Sequence, residues 1–310
     1  VSLTVLAPDG VPEVRPGDDL AALVSASLDL EDGDVVLVTS KVVSKAEGRL
    51  VPGTDRDAVL PAETVRIVAR RGPTTIVRNR LGLTMAAAGI DNSNVEAGSL
   101  ALLPLDPDAS ARVLRENLAP NVAVVITDTA GRAWRTGQTD IAIGAAGLVV
   151  LDDHSGRVDD YGNRLAVTAP AVADELASAA ELAQGKLTAR PFARVRGRAD
   201  LVLPRGEHGP GAVALQRVEG EDLFGYGARE AVVRALAGDP ADRAPFGAPA
   251  AAAEVAAAVR QVLGAEPEPL GDALGVPPDP RLAPLAFAFG WALEAAGEGA
   301  EKAVIRPATP

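Results

Sequence analysis

The residues with the clearest capacity for chemistry lie between Ile126 and Gly147, in the stretch ITDTAGRAWRTGQTDIAIGAAG. An apolar run, Val122 to Ile126, stops abruptly at Thr127-Asp128-Thr129. A glycine turn, Arg132, Trp134, Arg135 and a second apolar run punctuated by glycines follow. Carboxylates hold hard cations, and planar guanidinium groups neutralise phosphate or carboxylate oxygens. The segment therefore reads as a metal–phosphate site at a strand end, where catalytic groups are commonly presented. It reads equally as a surface turn between two core strands, with Asp128 capping the turn and both arginines solvated.

Two further patches could serve such a site. Thr39-Ser40-Lys41-Val42-Val43-Ser44-Lys45 leaves the dense apolar run Val35 to Val38. Hydroxyls and lysines there suit an anion, since lysine is a compact point charge for phosphate; the alternative is a strand-to-strand connection with solvated lysines. In Ala86 to Val95, a run of small residues ends in Asp91-Asn92-Ser93-Asn94. Asp91 and Asn94 could face one bound group from a tight turn, or could simply build an Asx-turn. Asp174 and Glu175 are either metal ligands or acids placed for a helix dipole. GxxxxGK[ST] occurs nowhere: Gln184-Gly185-Lys186-Leu187 lacks the upstream glycine and the hydroxyl. No GxGxxG follows a strand, so a Rossmann cofactor domain has no support.

The elements that must position these residues alternate along the chain. Strands are expected at Leu3 to Leu6, Val35 to Val38, Thr74 to Val77, Leu100 to Leu105, Val122 to Ile126, Leu165 to Thr168, Phe192 to Val195 and Leu201 to Leu203. Helices are expected at Leu20 to Leu28, after Pro61 towards Arg70, at Ala109 to Leu118, from Pro170 to Gly185, and at Ala228 to Leu236. After Gly238 the composition shifts to proline and alanine, which marks a linker from Asp239 to Pro249. Helices at Ala251 to Leu263 and Leu285 to Ala296 complete a tail with no assignable site.

With 310 residues, 47% of them hydrophobic, the chain can bury a large core. A net charge of −12 and a pI near 4.7 argue against nucleic acid as the main partner. The absence of cysteine excludes thiol catalysis, disulfides and cysteine-based metal clusters. Two histidines make a histidine-rich metal site improbable. No signal peptide is read in VSLTVLAPDG, and no apolar stretch is long enough to span a bilayer. A cytoplasmic protein with no membrane partner is expected.

Three segments taken together resemble the coenzyme F420-0:L-glutamate ligase family, the gamma-glutamyl ligases of F420 biosynthesis. They are GDVVLVTSKVVSKAEGRL (33–50), AGIDNSNVEAGSLALLPLDPDAS (88–110) and ITDTAGRAWRTGQTDIAIG (126–144). DYGNRLAVTAPAVADELASAAELAQGK (160–186) fits as a fourth. The resemblance covers roughly residues 1 to 240 in the family's order, leaving 241–310 as a linker and helical tail.

The resemblance implies a mixed α/β (α+β) fold with a short helical appendage, in an intertwined homodimer. It implies GTP-dependent attachment of L-glutamate to F420-0, with GDP and phosphate released, and a second glutamate addable through a gamma linkage. Magnesium or manganese would be used, with potassium a further candidate. Asp91 and Asp128 match metal-binding aspartates, and Thr129 a neighbouring metal contact. Asn94, Ser40, Lys41 and Lys45 match guanine-nucleotide contacts, as does the stretch Val11, Pro12, Glu13 and Val14. Arg132 and Arg135 are assigned catalytic roles beside Asp128 from charge and position alone.

The chain also departs from the pattern. Ala87 stands where the family often has asparagine, and Lys186 lies near a position at which some members carry an acid. The tail is too short for the nitroreductase-like domain fused to some relatives, so FMN is not expected. The rival readings are a nucleotide-binding regulatory protein without turnover, a metal-dependent phosphohydrolase, and a ligase with a different acceptor acid.

Overall fold

The computed structural model describes residues 1–218, 221–222, 224–294 and 302–308. The chain divides into two compact units, Val1–Ile67 with Thr74–Gln216, and Val68–Pro73 with Arg217–Pro310.

In chain order, the first part contains β1 (Thr4–Leu6), α1 (Leu20–Ser27), β2 (Val35–Thr39), α2 (Ser40–Ala46), β3 (Leu50–Pro52), α3 (Arg56–Glu63) and β4 (Thr64–Arg71). It continues through β5 (Thr74–Asn79), β6 (Thr84–Ala86), β7 (Ser99–Ala101), α4 (Pro107–Glu116), β8 (Ala123–Gly131), β9 (Gln138–Ala146), α5 (Val172–Gln184) and β10 (Phe192–Arg196).

The first unit is built on a five-stranded sheet in the order β1-β10-β2-β8-β9. Its neighbours are antiparallel except the central pair, β2 and β8, which run parallel from Val35↔Ala123 to Thr39↔Thr127. Both central strands are buried without alternation because both faces are covered, the arrangement that unbroken valine runs favour. Val36, Val38, Val124 and Ile126 pack with Val24 of α1 and Leu114 of α4. Val35, Leu37, Ala123 and Val125 pack with Ala173, Leu176 and Ala180 of α5. The small-residue face of α5 lets it lie close to the sheet, and Gly185 ends it.

A β-bulge falls between Ile126 and Thr127, where the partner steps from Gly144 to Ala142. Beyond it the apolar run gives way to Thr127, Asp128, Thr129 and Asp140, of which Thr127 and Asp140 are buried. Asp174 Oδ1 accepts the Ala142 N–H at 2.8 Å, so this early-helix acid braces the bulged strand.

Several elements differ from those expected. Ser40 to Ala46 is a helix rather than a loop, and buries Val42 and Val43 on one side. The helix expected after Pro61 instead ends at Glu63, with Pro61 inside it, and the β-branched run from Thr64 continues as β4. The turn expected just after Thr129 comes later, since β8 runs on to Gly131. Asp106 caps α4 by accepting the Ala109 N–H. No strand forms at Leu165 to Thr168; that region has a single bridge, Val158↔Arg164.

The second unit contains α6 (Ala228–Ala237), α7 (Ala252–Leu263), β11 (Glu268–Leu270), β12 (Ala273–Val276), α8 (Leu282–Ala288), β13 (Trp291–Leu293) and β14 (Ala303–Pro307). The expected helical appendage is thus corrected: it holds an antiparallel sheet, β11-β12-β14-β13, over a core of Val255, Val259, Val276, Leu282, Trp291 and Ile305. The Pro/Ala-rich stretch is packed, with Pro245 buried and the Phe246 ring edge-on to Phe287 at 5.7 Å. The helix expected at Leu285 to Ala296 ends at Ala288; residues 295 and 296 lie outside the described residues.

Candidate functional site

Because β2 and β8 are parallel and in register, their polar C-terminal ends emerge side by side. Ser40, the first residue after β2, is buried and donates its hydroxyl to Asp128 Oδ1 at 3.0 Å. The next residue, Lys41, turns the other way. Its Nζ donates to Asp91 Oδ2 at 2.6 Å, to the Ser93 carbonyl at 2.5 Å and to Ser93 Oγ at 2.8 Å. Two carboxylates distant in sequence, Asp91 from a loop and Asp128 from β8, therefore converge on adjacent residues at the start of α2.

The Asp91 loop is firmly held. Asp91 exchanges both backbone hydrogen bonds with Ala101, at 3.1 and 2.8 Å. Just before it, Ala87 and Ala88 adopt left-handed backbone, φ 49° and 56°. That conformation costs an L-residue about 1–2 kcal/mol. Buried Asn79 holds the turn by donating to the Ala88 carbonyl while accepting the Leu81 and Leu83 N–H groups. The Asx-turn reading of Asp91 is correct too, since Oδ1 accepts the Ser93 N–H at 2.9 Å. Asp91 carries both roles.

The two acids differ in character. Burial opposes ionisation of Asp91, but the Lys41 ammonium and the Ser93 hydroxyl and N–H outweigh it and hold the carboxyl well below the usual range. At Asp128 burial dominates. Together with the nearby charge of Asp140, it pushes this carboxyl up to about 7 against the pull of Ser40, Lys41 and the Thr129 N–H. Asp91 is thus held ionised beside Lys41, while burial and the neighbouring acid favour the neutral form of Asp128.

Thr129 faces Asp140 across the hairpin, its hydroxyl 2.8 Å from Asp140 Oδ1; Thr127 reaches Asp140 Oδ2 at 3.2 Å. Among the described residues, no three His, Cys, Asp or Glu side chains gather tightly enough to hold a metal by themselves. The donors present still suit a hard cation of the magnesium type, which uses one or two carboxylates and completes its shell with water and substrate phosphates. Asp128 and Asp91 would hold it; the Thr129 side chain, next along the strand, is turned to the other face, towards Asp140.

The remaining candidates are distributed unevenly. Lys45 is buried and ion-paired with Glu13, whose own side chain is exposed. Val14 is buried and Val11 packs on the same core, so the 11–14 stretch is anchored with Pro12 and Glu13 facing out. Asn94 has φ 53° and donates to the Lys186 carbonyl at 3.5 Å, linking the Asp91 loop to the chain after α5. Arg132 and Arg135 are exposed in the turn joining β8 to β9; Arg132 donates to the Thr136 carbonyl at 3.5 Å, and the Arg135 N–H to the Arg132 carbonyl. They are not drawn into the cluster around Ser40 and Lys41.

Sequence reasoning missed Asp140, Ser93 and Glu181. Burial and the charge of Asp140 raise the Glu181 carboxyl, while Lys186 lowers it. The available signal for Asp140 was the matching polar end of the second apolar run, Thr139-Asp140 opposite Thr127-Asp128-Thr129.

The fold is a mixed α+β one in which the ends of the two central parallel strands and the helix after the first of them gather Ser40, Lys41, Asp91 and Asp128. The sequence model of the F420-0:Gamma-glutamyl ligase family matches residues 10–66 and 57–197, more than half the chain. The chain belongs to that family. It is 42% identical over 200 residues to a coenzyme F420:L-glutamate ligase from Archaeoglobus fulgidus, covering 57% of this chain and 80% of that protein. The protein of the same name from Methanopyrus kandleri is 42% identical over 200 residues, covering 56% and 78%. That from Natronomonas pharaonis is 40% identical over 211 residues, covering 59% and 81%. The matched span contains Ser40, Lys41, Lys45, Asp91, Asn94, Asp128 and Thr129. Among the described residues, no helix is long and apolar enough to cross a membrane.

Proposed function

We propose that this protein joins L-glutamate to F420-0 in an amide bond, with GTP as the phosphoryl donor and a divalent cation, magnesium or manganese, at the Asp91–Asp128 site. The observation that carries this reading is the convergence of Asp91 and Asp128 on the consecutive residues Lys41 and Ser40. The relatives' shared name supports the choice of substrates.

A carboxylate and an amine do not condense in water, so the acid is first activated. A carboxylate oxygen of F420-0 attacks the γ-phosphorus of GTP, the bond to the β-phosphate oxygen breaks, and an acyl phosphate and GDP form. The glutamate amine then attacks the acyl carbon, loses a proton and expels inorganic phosphate. A bound cation supplies charge neutralisation to the phosphoryl oxygens. Lys45, with Arg132 or Arg135 brought from the hairpin turn, neutralises the remaining charge and orients the substrate carboxylate. Lys41 and Ser40 hold phosphate oxygens beside the two aspartates. A second glutamate is added by the same chemistry: the gamma-carboxylate of the first is activated as an acyl phosphate, and the amine of the second attacks it and expels phosphate.

Mass spectrometry of F420-0 incubated with the protein, GTP, Mg2+ or Mn2+, and L-glutamate tests the reading. The expected product carries one or more added glutamyl residues and appears only when all components are present. Phosphate release that needs no glutamate would favour a phosphohydrolase instead. The reading extends to a homodimer; a single-chain mass in light scattering would count against that part.

A further inference from the structure

The Lys41 ammonium carries three hydrogens, and all three are spent on one loop. They go to Asp91 Oδ2 at 2.6 Å, to the Ser93 carbonyl at 2.5 Å and to Ser93 Oγ at 2.8 Å. Asp91 Oδ2 is fully used as well. Besides the ammonium it accepts the Ser93 hydroxyl at 2.5 Å, which takes the second of its two lone pairs. The other oxygen, Oδ1, accepts the Ser93 N–H at 2.9 Å and lies 3.7 Å from Arg56 Nη2. Lys41 directly follows Ser40, whose hydroxyl holds Asp128, and its charge acts on the Asp128 carboxyl too. The ammonium thus stands near both acids, and a cation held by the pair needs the place it fills.

We infer that Lys41 is a positioning residue that couples cation binding to nucleotide binding: its ammonium is the countercharge that a cation must displace from Asp91, and the nucleotide phosphates receive it. This rests on the cation-and-nucleotide reading of the site. With no hydrogen to spare, Lys41 cannot hold a phosphate oxygen and keep all its bonds to the Asp91 loop. With both lone pairs of Oδ2 taken, Asp91 cannot give that oxygen to a cation while its present partners stay. One swing of a flexible lysine stem meets both needs, since it frees Oδ2 and carries a compact charge to phosphate. Asp91 keeps its place meanwhile, because the Ser93 N–H and the two backbone bonds to Ala101 do not involve Lys41. Two ligands that require the same displacement bind more tightly together than either does alone.

The test is Mn2+ binding by calorimetry, with and without GDP, to the parent protein and to Lys41→Met, with thermal unfolding as a check on folding. Lys41→Met should bind Mn2+ alone about 5–150-fold more tightly than the parent, the usual span of coupling between two sites. GDP should tighten Mn2+ binding in the parent, and by at least about fivefold less in Lys41→Met, where only direct contact of phosphate with the cation remains. Arg56→Gln is the control for charge alone: it removes a positive group beside Oδ1 and leaves Lys41 on Oδ2, so Mn2+ should tighten less than in Lys41→Met. Mn2+ binding no tighter in Lys41→Met than in the parent overturns the inference, and would mean that Lys41 only props the Asp91 loop. So does an equal effect of GDP on the two proteins, or a gain in Arg56→Gln as large as that in Lys41→Met. If Lys41→Met does not fold, Lys41→Gln is read in the same way. No Mn2+ binding by the parent protein, with or without GDP, would instead overturn the cation reading itself.

Discussion

Ser40 donates its hydroxyl to Asp128 Oδ1 at 3.0 Å, although 88 positions separate the two residues along the chain. The contact exists because β2 and β8 are parallel and end in register, at Thr39 and Thr127. Asp128→Asn keeps the shape and an acceptor for Ser40 but removes the charge. Ligation should fall more than about a hundredfold, since even outer-shell changes at metal sites cost about 10–100-fold. The thermal midpoint should hold or rise. Full glutamylation by this variant in the mass-spectrometric assay would remove Asp128 from the cation site.

The Asp128 carboxyl, raised to about 7, makes cation binding dependent on pH. A cation needs the ionised form, so below pH 7 it must displace a proton, and the apparent Mn2+ affinity should fall towards tenfold per unit as pH drops. The same group affects stability in the opposite sense. Its folded-state pKa lies above the unfolded value, so between about pH 4 and 7 the folded state holds the extra proton. Its contribution to stability is therefore present at low pH and lost as pH rises through 7. Calorimetry at several pH values and metal-free urea unfolding read the two effects separately. A pH-independent Mn2+ affinity between pH 5 and 8 contradicts the assignment.

The chemistry of the site was legible in the sequence, but its assembly was not. Asp128, Thr129, Lys41, Lys45 and Asp91 stand out because polar groups interrupt apolar runs. Nothing in the local pattern says that Asp91 meets Lys41, because that contact depends on the long-range bridge Asp91↔Ala101. Asp140 was overlooked because one acid at the start of an apolar run looks like a solvated strand end. Only the hairpin register turns it towards Thr129. The central strands were legible because Val35 to Val38 and Val122 to Ile126 are apolar without interruption. α2 was not: its paired valines favour strand locally, and burial against the core overrides that preference. β4 was misread because its arginine spacing resembles a helix face, whereas its β-branched residues favour strand. The sheet of the second unit rests on strands of three to five residues, too short to show alternation.

Lys45 is buried, and among the described residues its charge is matched only by Glu13, whose carboxylate is largely in water. Replacing Lys45 with Met keeps the unbranched stem in its apolar setting and removes the ammonium. If Lys45 contacts the nucleotide, GTP affinity should fall about 10–100-fold, the value of a hydrogen bond to a charged group. Unfolding in urea should change little, because Glu13 stays hydrated. The converse change, Glu13→Gln, leaves the buried ammonium unpaired and should lower stability more than Lys45→Met does. Equal GTP affinity in the parent protein and Lys45→Met, measured by calorimetry, would remove Lys45 from the nucleotide site.

Gly144 sets the distance between β9 and α4. A Cβ built there would lie 2.4 Å from the backbone carbon and oxygen of Pro107, in the first turn of the helix. Backbone cannot swing aside as a flexible side chain can, so Gly144→Ala must push α4 off the sheet. Asp108 in the same turn accepts the Ala145 N–H at 2.7 Å and the Ala212 N–H at 2.7 Å, and both bonds would lengthen with that shift. The expected cost is about 1–3 kcal/mol from overpacking, plus the loss in these charge-assisted bonds. Because β9 also carries Asp140, the displacement should reach the site: Mn2+ affinity falls along with the urea midpoint. A Gly144→Ala protein as stable as the parent would mean that α4 does not rest on β9 as closely as Pro107 and Gly144 indicate.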